Sequence, residues 1–207
     1  MLTAGILEVV DLPWYDTVGL PTTKNADGDI PPAEFFQVPL GGMGRDWTGH
    51  YRPKTELDTN MLEQGILPMP HRLLIRSIRA ALIDVAGALM PVSSPYYRGA
   101  VLELQIARKR YWQSPLWKVA DPATLFLPAD ILKLFSVGER HEIIRSLRQQ
   151  FEDSVGDANG EPIRPQIQER EPFIVTIDFD PLLKWDSPTA PGAAVVLLEG
   201  LDARAIM

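Results

Sequence analysis

The sequence predicts a mostly-β sandwich or barrel, and three observations carry that expectation. Apolar and polar residues alternate with a period of two along Phe173–Phe179 and again along Leu102–Ile106, the pattern of strands with one buried face. Fifteen glycines and nineteen prolines among 207 residues exceed the roughly 12% of an average chain, so this chain turns often. Only one region carries helical spacing, and strands do not alternate with helices as a doubly wound α/β fold requires. A chain of this length buries about 70% of its unfolded surface, enough for one sizeable core or at most two small ones.

From the N-terminus, Gly5–Val10 and Glu34–Val38 are strand candidates. Leu12–Ile30 and Gly41–Tyr51, rich in Gly and Asp with few apolar repeats, read as long loops, giving an N-terminal loop-rich arm over about 1–56. Pro68 and Pro70 bar a helix from starting upstream of the Leu- and Ile-rich run Leu73–Ile83, which reads as a strand. The strand at about 100–107 carries Leu102, Leu104 and Ile106 on one face, gives way to Arg108 and Arg110, and ends near Tyr111. Leu125–Leu127 is another strand candidate, and Asp130 could cap a short turn over Ile131–Phe135. Ser136 and Glu139 match a capping box, and Ile143, Ile144, Leu147 and Phe151 recur at helical spacing, so a helix is expected at about 137–153. Gly156 and Gly160 break the chain before the strand at about 172–179. Ala194–Leu198 is apolar on both faces, as a central strand is, and Gly200 suggests a bend or bulge before Leu201–Ile206. The expected core includes Leu102, Leu104, Ile106, Phe173, Val175, Ile177 and Val196.

Charge divides along the chain. Residues 1–71 hold 4 Lys/Arg against 10 Asp/Glu, residues 72–118 hold 8 against 2, and residues 119–207 hold 8 against 15, for a net charge of −7. A basic middle between acidic flanks suits neutralisation within or between subunits better than a nucleic-acid surface.

The search for chemistry excludes more than it finds. Without cysteine there is no disulfide, thiolate metal site or cysteine nucleophile. His50, His71 and His141 fall at no metal-binding spacing, and no Gly-x-Ser-x-Gly elbow occurs. Gly41-Gly42-Met43-Gly44 matches neither a Walker A loop nor a dinucleotide fingerprint and reads as a flexible loop. Asn25, Asp27 and Asp29 alternate as in a calcium loop, but Ile30 stands where an EF-hand needs Gly and Phe36 where it needs Glu, so a solvated turn is expected. Asp178 and Asp180 share a strand face without forming an acid–base pair. No cofactor is implied. The first residues show no secretory signal, and the longest uncharged stretch, Val85–Tyr97, holds two prolines and is shorter than the roughly 20 residues of a spanning helix. A soluble protein with no membrane span is expected.

The stretch from Leu57 to Pro70, with Asn60-Met61 and Gly65-Ile66-Leu67-Pro68 leading into Leu73–Ile78, resembles a pattern in jelly-roll capsid proteins of tailless icosahedral bacterial viruses. Arg108-Lys109-Arg110-Tyr111-Trp112 followed by Ser114-Pro115-Leu116, and the terminal pair Pro172–Phe179 and Ala193–Ile206, fit the same template over roughly 57–207. The resemblance implies a single antiparallel jelly-roll barrel, two four-stranded sheets over 1–207 with one helical insertion. It also implies a non-catalytic shell protein assembled in the host cytoplasm into the virion. Its partners would be copies of itself, other virion proteins and, weakly, packaged nucleic acid. The chain is shorter than double-barrel relatives, which leaves room for one barrel. A carbohydrate- or ligand-binding β-sandwich would use the same strands and expose some of Trp14, Trp47, Trp112, Trp117 and Trp185, whereas a cupin-like enzyme would need clustered histidines.

Candidate contact residues follow. If the strand at 100–107 continues, alternation puts Arg108 and Arg110 on one face at the barrel rim with Lys109 pointing the other way, facing an acidic edge of the next subunit in preference to the genome. Trp47, with Trp14, Tyr15 and Tyr51 in the long loops, is a candidate subunit contact; the alternative is packing against its own barrel.

Overall fold

The computed structural model of the chain describes residues 7–11, 13–46, 48–120, 165–185 and 189–205. Within them lie the strands β1 (Leu7–Asp11), β2 (Trp14–Gly19), β3 (Ala33–Phe35), β4 (Met43–Arg45), β5 (Tyr51–Pro53), β6 (Arg72–Asp84), β7 (Ala100–Ile106), β8 (Lys109–Pro115), β9 (Gln166–Ile167), β10 (Phe173–Phe179) and β11 (Pro191–Ala205). Two single-turn helices, α1 (Pro95–Arg98) and α2 (Leu116–Val119), complete them. The protein is mostly β, as expected.

Two antiparallel sheets face one another. The larger runs β1–β11–β6–β9, and the smaller runs β3–β10–β7–β8. β1 pairs with the C-terminal half of β11, from Leu7↔Ala205 to Asp11↔Leu201, and β2 with its N-terminal half, from Trp14↔Leu198 to Gly19↔Ala193. The two strands therefore share one position in the sheet, end to end. β4 and β5 form a separate two-stranded ribbon.

The inward faces meet in a single apolar cluster. All seven expected core residues are buried in it, each such side chain contributing about 1.5–3 kcal/mol relative to exposure. β11 is the central strand its two-sided apolar character implied, with β6 on one edge and β1 and β2 on the other. The register shifts between Glu199 and Gly200, and a Cβ on Gly200 would lie 2.1 Å from the Leu74 carbonyl oxygen. Only glycine fits where β6 approaches so closely.

Three differences from expectation have physical reasons. Leu12–Ile30 contains β2, whose alternation is disguised because the inward position between Trp14 and Val18 is Asp16, a charged residue buried against Lys54. Gly41–Tyr51 reaches into β4 and β5, strands of three residues, too short to show a period. The first 56 residues therefore supply β1 and β2 to the larger sheet and β3 to the smaller, beyond any loop-rich arm. Finally, the strand expected to run on toward Tyr111 is two strands. Ala107 (φ 50°) and Arg108 (φ 66°) form a two-residue turn between Ile106 and Lys109, which pair across it. Positive φ at both central residues is type I′ geometry, normally signalled by Asn-Gly, so Ala-Arg gives no warning of it.

The helix expected at about 137–153, the turn Ile131–Phe135, the strand Leu125–Leu127, Trp47 and His141 lie outside the described residues. Among the described residues no helix is long and apolar enough to cross a membrane.

Candidate functional site

The turn between β7 and β8 sits at one end of the sandwich and separates Arg108 from Arg110, which continuous alternation would have put on one face. Arg110 pairs across the hairpin with Gln105 and turns back over the outer face of the smaller sheet, where its Nε lies 2.5 Å from Glu103 Oε2. Glu103 is buried there and also accepts a hydrogen bond from Gln105 Nε2 at 2.5 Å. Asp178 shares this face, and burial, then the Glu103 charge, raises its carboxyl above the ordinary value against the opposing pull of Arg110. Lys109 lies 5.3 Å from the centroid of the Tyr111 ring, within cation–π range. Arg108 alone is left at the tip.

Arg108 borders a recess of about 330 Å³ whose polar lining is Gln37, Gln64 and Gln105 and whose apolar side is Pro172–Ile174. Gln37 Nε2 donates to the Phe173 carbonyl at 3.3 Å. Gly65 holds a φ of 62°, and a Cβ there would come within 3.0 Å of Gln37 Nε2, so the glycine both makes the turn and leaves room for the amide. The recess offers a guanidinium and carboxamides, donors and acceptors together. That chemistry suits a polar backbone or a carboxylate. Of the four candidates, the structure brings Arg108 to this recess and ties Arg110 and Lys109 down elsewhere. Trp47 is not described, but its neighbours close a tight turn: Asp46 Oδ1 accepts from Thr48 Oγ1 at 2.6 Å, Thr48 N at 2.9 Å and His50 N at 3.0 Å. These bonds, the Thr48 hydroxyl first, hold the Asp46 carboxyl below its ordinary value.

The other aromatic candidates divide. Trp14 and Trp185 are buried, Trp185 packing edge-on to Tyr96 and Phe179 and donating to the Pro21 carbonyl at 2.6 Å. Trp14 is therefore a core residue, since β2 turns it inward. Trp117 and Tyr51 are exposed.

A pairing invisible to sequence reading joins His71 and Asp202, whose Nδ1 and Oδ2 lie 2.6 Å apart with Trp14 edge-on to the imidazole. They stand 131 positions apart, and only the register of β11 on β6 brings them together. His50 contacts Thr48, and Asn25 spends its carbonyl on the backbone N–H groups of Asp27 and Asp29, which makes that acidic stretch a closed turn. Among the described residues no three His, Asp or Glu side chains cluster as metal ligands would. Compared with protein-family models, curated proteins and solved structures, the chain matches none.

Proposed function

We propose that this chain is a jelly-roll shell protein that self-assembles, without catalysis, into the virion of a tailless icosahedral bacterial virus in the host cytoplasm. The observation that carries the reading is the order of strand pairing. With β1 and β2 counted as one position, and the β4–β5 ribbon set aside as part of a connection, eight positions remain in chain order. The first pairs with the eighth (β11), the second (β3) with the seventh (β10), the third (β6) with the sixth (β9) and the fourth (β7) with the fifth (β8). That is one long antiparallel hairpin rolled up until the eighth strand lies against the third and the seventh against the fourth, the double Greek key of a jelly roll. The resemblance of 57–207 to capsid proteins supplies the functional half, since the fold by itself serves many functions.

Arg108 is the subunit contact in this reading. With Arg110 neutralised by Glu103 and the chain at −7 overall, the recess faces a neighbour's acidic group and not a phosphate backbone. The deciding experiment is light scattering and electron microscopy of the purified chain over a concentration series. Particles or large oligomers are expected, and a strict monomer throughout would overturn the shell reading.

A further inference from the structure

On the outer face of the larger sheet, away from the Arg108 recess, lies a second depression of about 360 Å³. Its floor is apolar, with Ala81 and Ile83 from β6 and Val195 and Leu197 from β11. One wall is the turn Thr55–Asp58. This turn is rigidly built: the Asp58 carboxylate takes both terminal nitrogens of Arg52, at 2.7 and 2.8 Å, and the Thr55 N–H and hydroxyl at 2.8 and 2.9 Å. Tyr15 fastens it to the sheet, its hydroxyl donating to the Glu56 carbonyl and its N–H to Asn60 Oδ1. At the crest Leu57 is 91% exposed. An apolar side chain held in water by a turn that cannot relax, directly beside an apolar socket, is a feature of docking surfaces.

We infer that this surface binds a second copy of the chain about a two-fold axis, Leu57 of each copy seated in the socket of the other. Knob and socket lie side by side on one patch, which is what an isologous contact demands, since a single axis then makes both insertions at once. Charge selects the same partner. Both rim guanidiniums are compensated, Arg52 by Asp58 at 2.7 Å with Asp46 at 3.4 Å and Arg79 by Glu199 at 2.7 Å, so a chain that carries −7 overall meets itself here over compensated cations. A strongly charged macromolecule finds no opposing field on this patch. A small ligand finds both rim guanidiniums already held by carboxylates and the Tyr15 hydroxyl already spent.

The contact concerns pairing alone and does not require a shell. Sedimentation equilibrium of the full chain should show association that Leu57→Asp weakens by roughly a hundredfold or more, because two buried leucines are replaced at once. At a concentration low enough that the wild type is monomeric, its melting temperature should match the wild type, since the residue is exposed in the single chain. The native chain has no cysteine, so an oxidised equimolar mixture of Leu57→Cys and Ile83→Cys chains should give a mixed covalent dimer in yield above either variant alone. Unaltered association in Leu57→Asp, a monomeric wild type, or no mixed dimer would overturn the inference, and would mean that another segment or molecule fills the socket. A dimer without particles would overturn the shell reading alone; particles unaffected by Leu57→Asp would overturn this contact alone.

Discussion

At the scale of single residues, the positions that matter most are those where chemistry and packing leave no alternative. Gly200 faces the Leu74 carbonyl so closely that an added methyl must push β6 and β11 apart. Gly200→Ala should cost about 3 kcal/mol, the upper range of overpacking, and lower the melting temperature by roughly 6–12 °C for a chain of this size. A thermal melt like that of the wild type would show that the bulge absorbs the methyl. Asp58 makes a different prediction. Burial pushes its carboxyl up, but hydrogen bonds from Arg52 and Thr55 together outweigh this and hold it below the ordinary value. A depressed folded value means that the unfolded chain binds the proton first as pH falls. The contribution of Asp58 is therefore complete above about pH 4 and is lost as pH drops through the lower folded value. Asp58→Asn should melt below wild type at pH 7, and the gap should close as melts are repeated toward pH 3. A gap independent of pH would assign the loss to packing. Asp16 works in the opposite sense: burial outweighs Lys54 and raises its carboxyl, so its protonation in acid favours the folded state and partly offsets Asp58.

At the scale of elements, legibility followed the number of residues that repeat a pattern. β7 and β10 alternate over seven residues each, and β11 carries the uninterrupted apolar run Ala194–Leu198, of which Ala194, Val196 and Leu198 face the core; all three could be read directly. β2 could not, because Asp16 occupies an inward position and is stabilised there by Lys54, 38 positions away, and by the Phe36 N–H at 2.6 Å, 20 positions away. β9 is two residues long, and a fragment of that size carries no period. The Arg108 recess was legible in one residue only, since its other walls come from three further segments, around Gln37, Gly65 and Phe173. What misled the reading most was the hairpin turn, and it can be tested. A non-glycine residue at positive φ costs roughly 1–2 kcal/mol, so Ala107→Gly should raise stability by about 1 kcal/mol in denaturant unfolding. The same exchange inside a strand would lower it by roughly 0.5–1 kcal/mol. Destabilisation would show that Ala107 is not held in the left-handed region.

At the scale of the whole molecule, the nested pairing makes the ends of the chain depend on each other. β11 pairs with β6 from Asp84↔Pro191 to Arg72↔Ala203, and its other edge is the only neighbour of β1 and β2 in the sheet among the described residues. Removing β11 would therefore leave β1 with no strand partner and β2 with only its bridge to Thr59, and would uncover Ile78, Ala80 and Leu82, which lie opposite Leu198, Val196 and Ala194 and close the same core. The smaller sheet would lose the surface it packs on, so neither half could keep an apolar face out of water. A chain ending at Thr189 should thus show no cooperative thermal transition and no near-ultraviolet circular dichroism, while the full chain melts in one step. The same nesting delays folding: the first strand position cannot be paired until the last is made, and such non-local closure belongs to the millisecond-to-second range. A cooperatively folded fragment ending at Thr189, or submillisecond refolding of the full chain, would mean that the smaller sheet with β6 is an independent unit and that β1, β2 and β11 are additions to it.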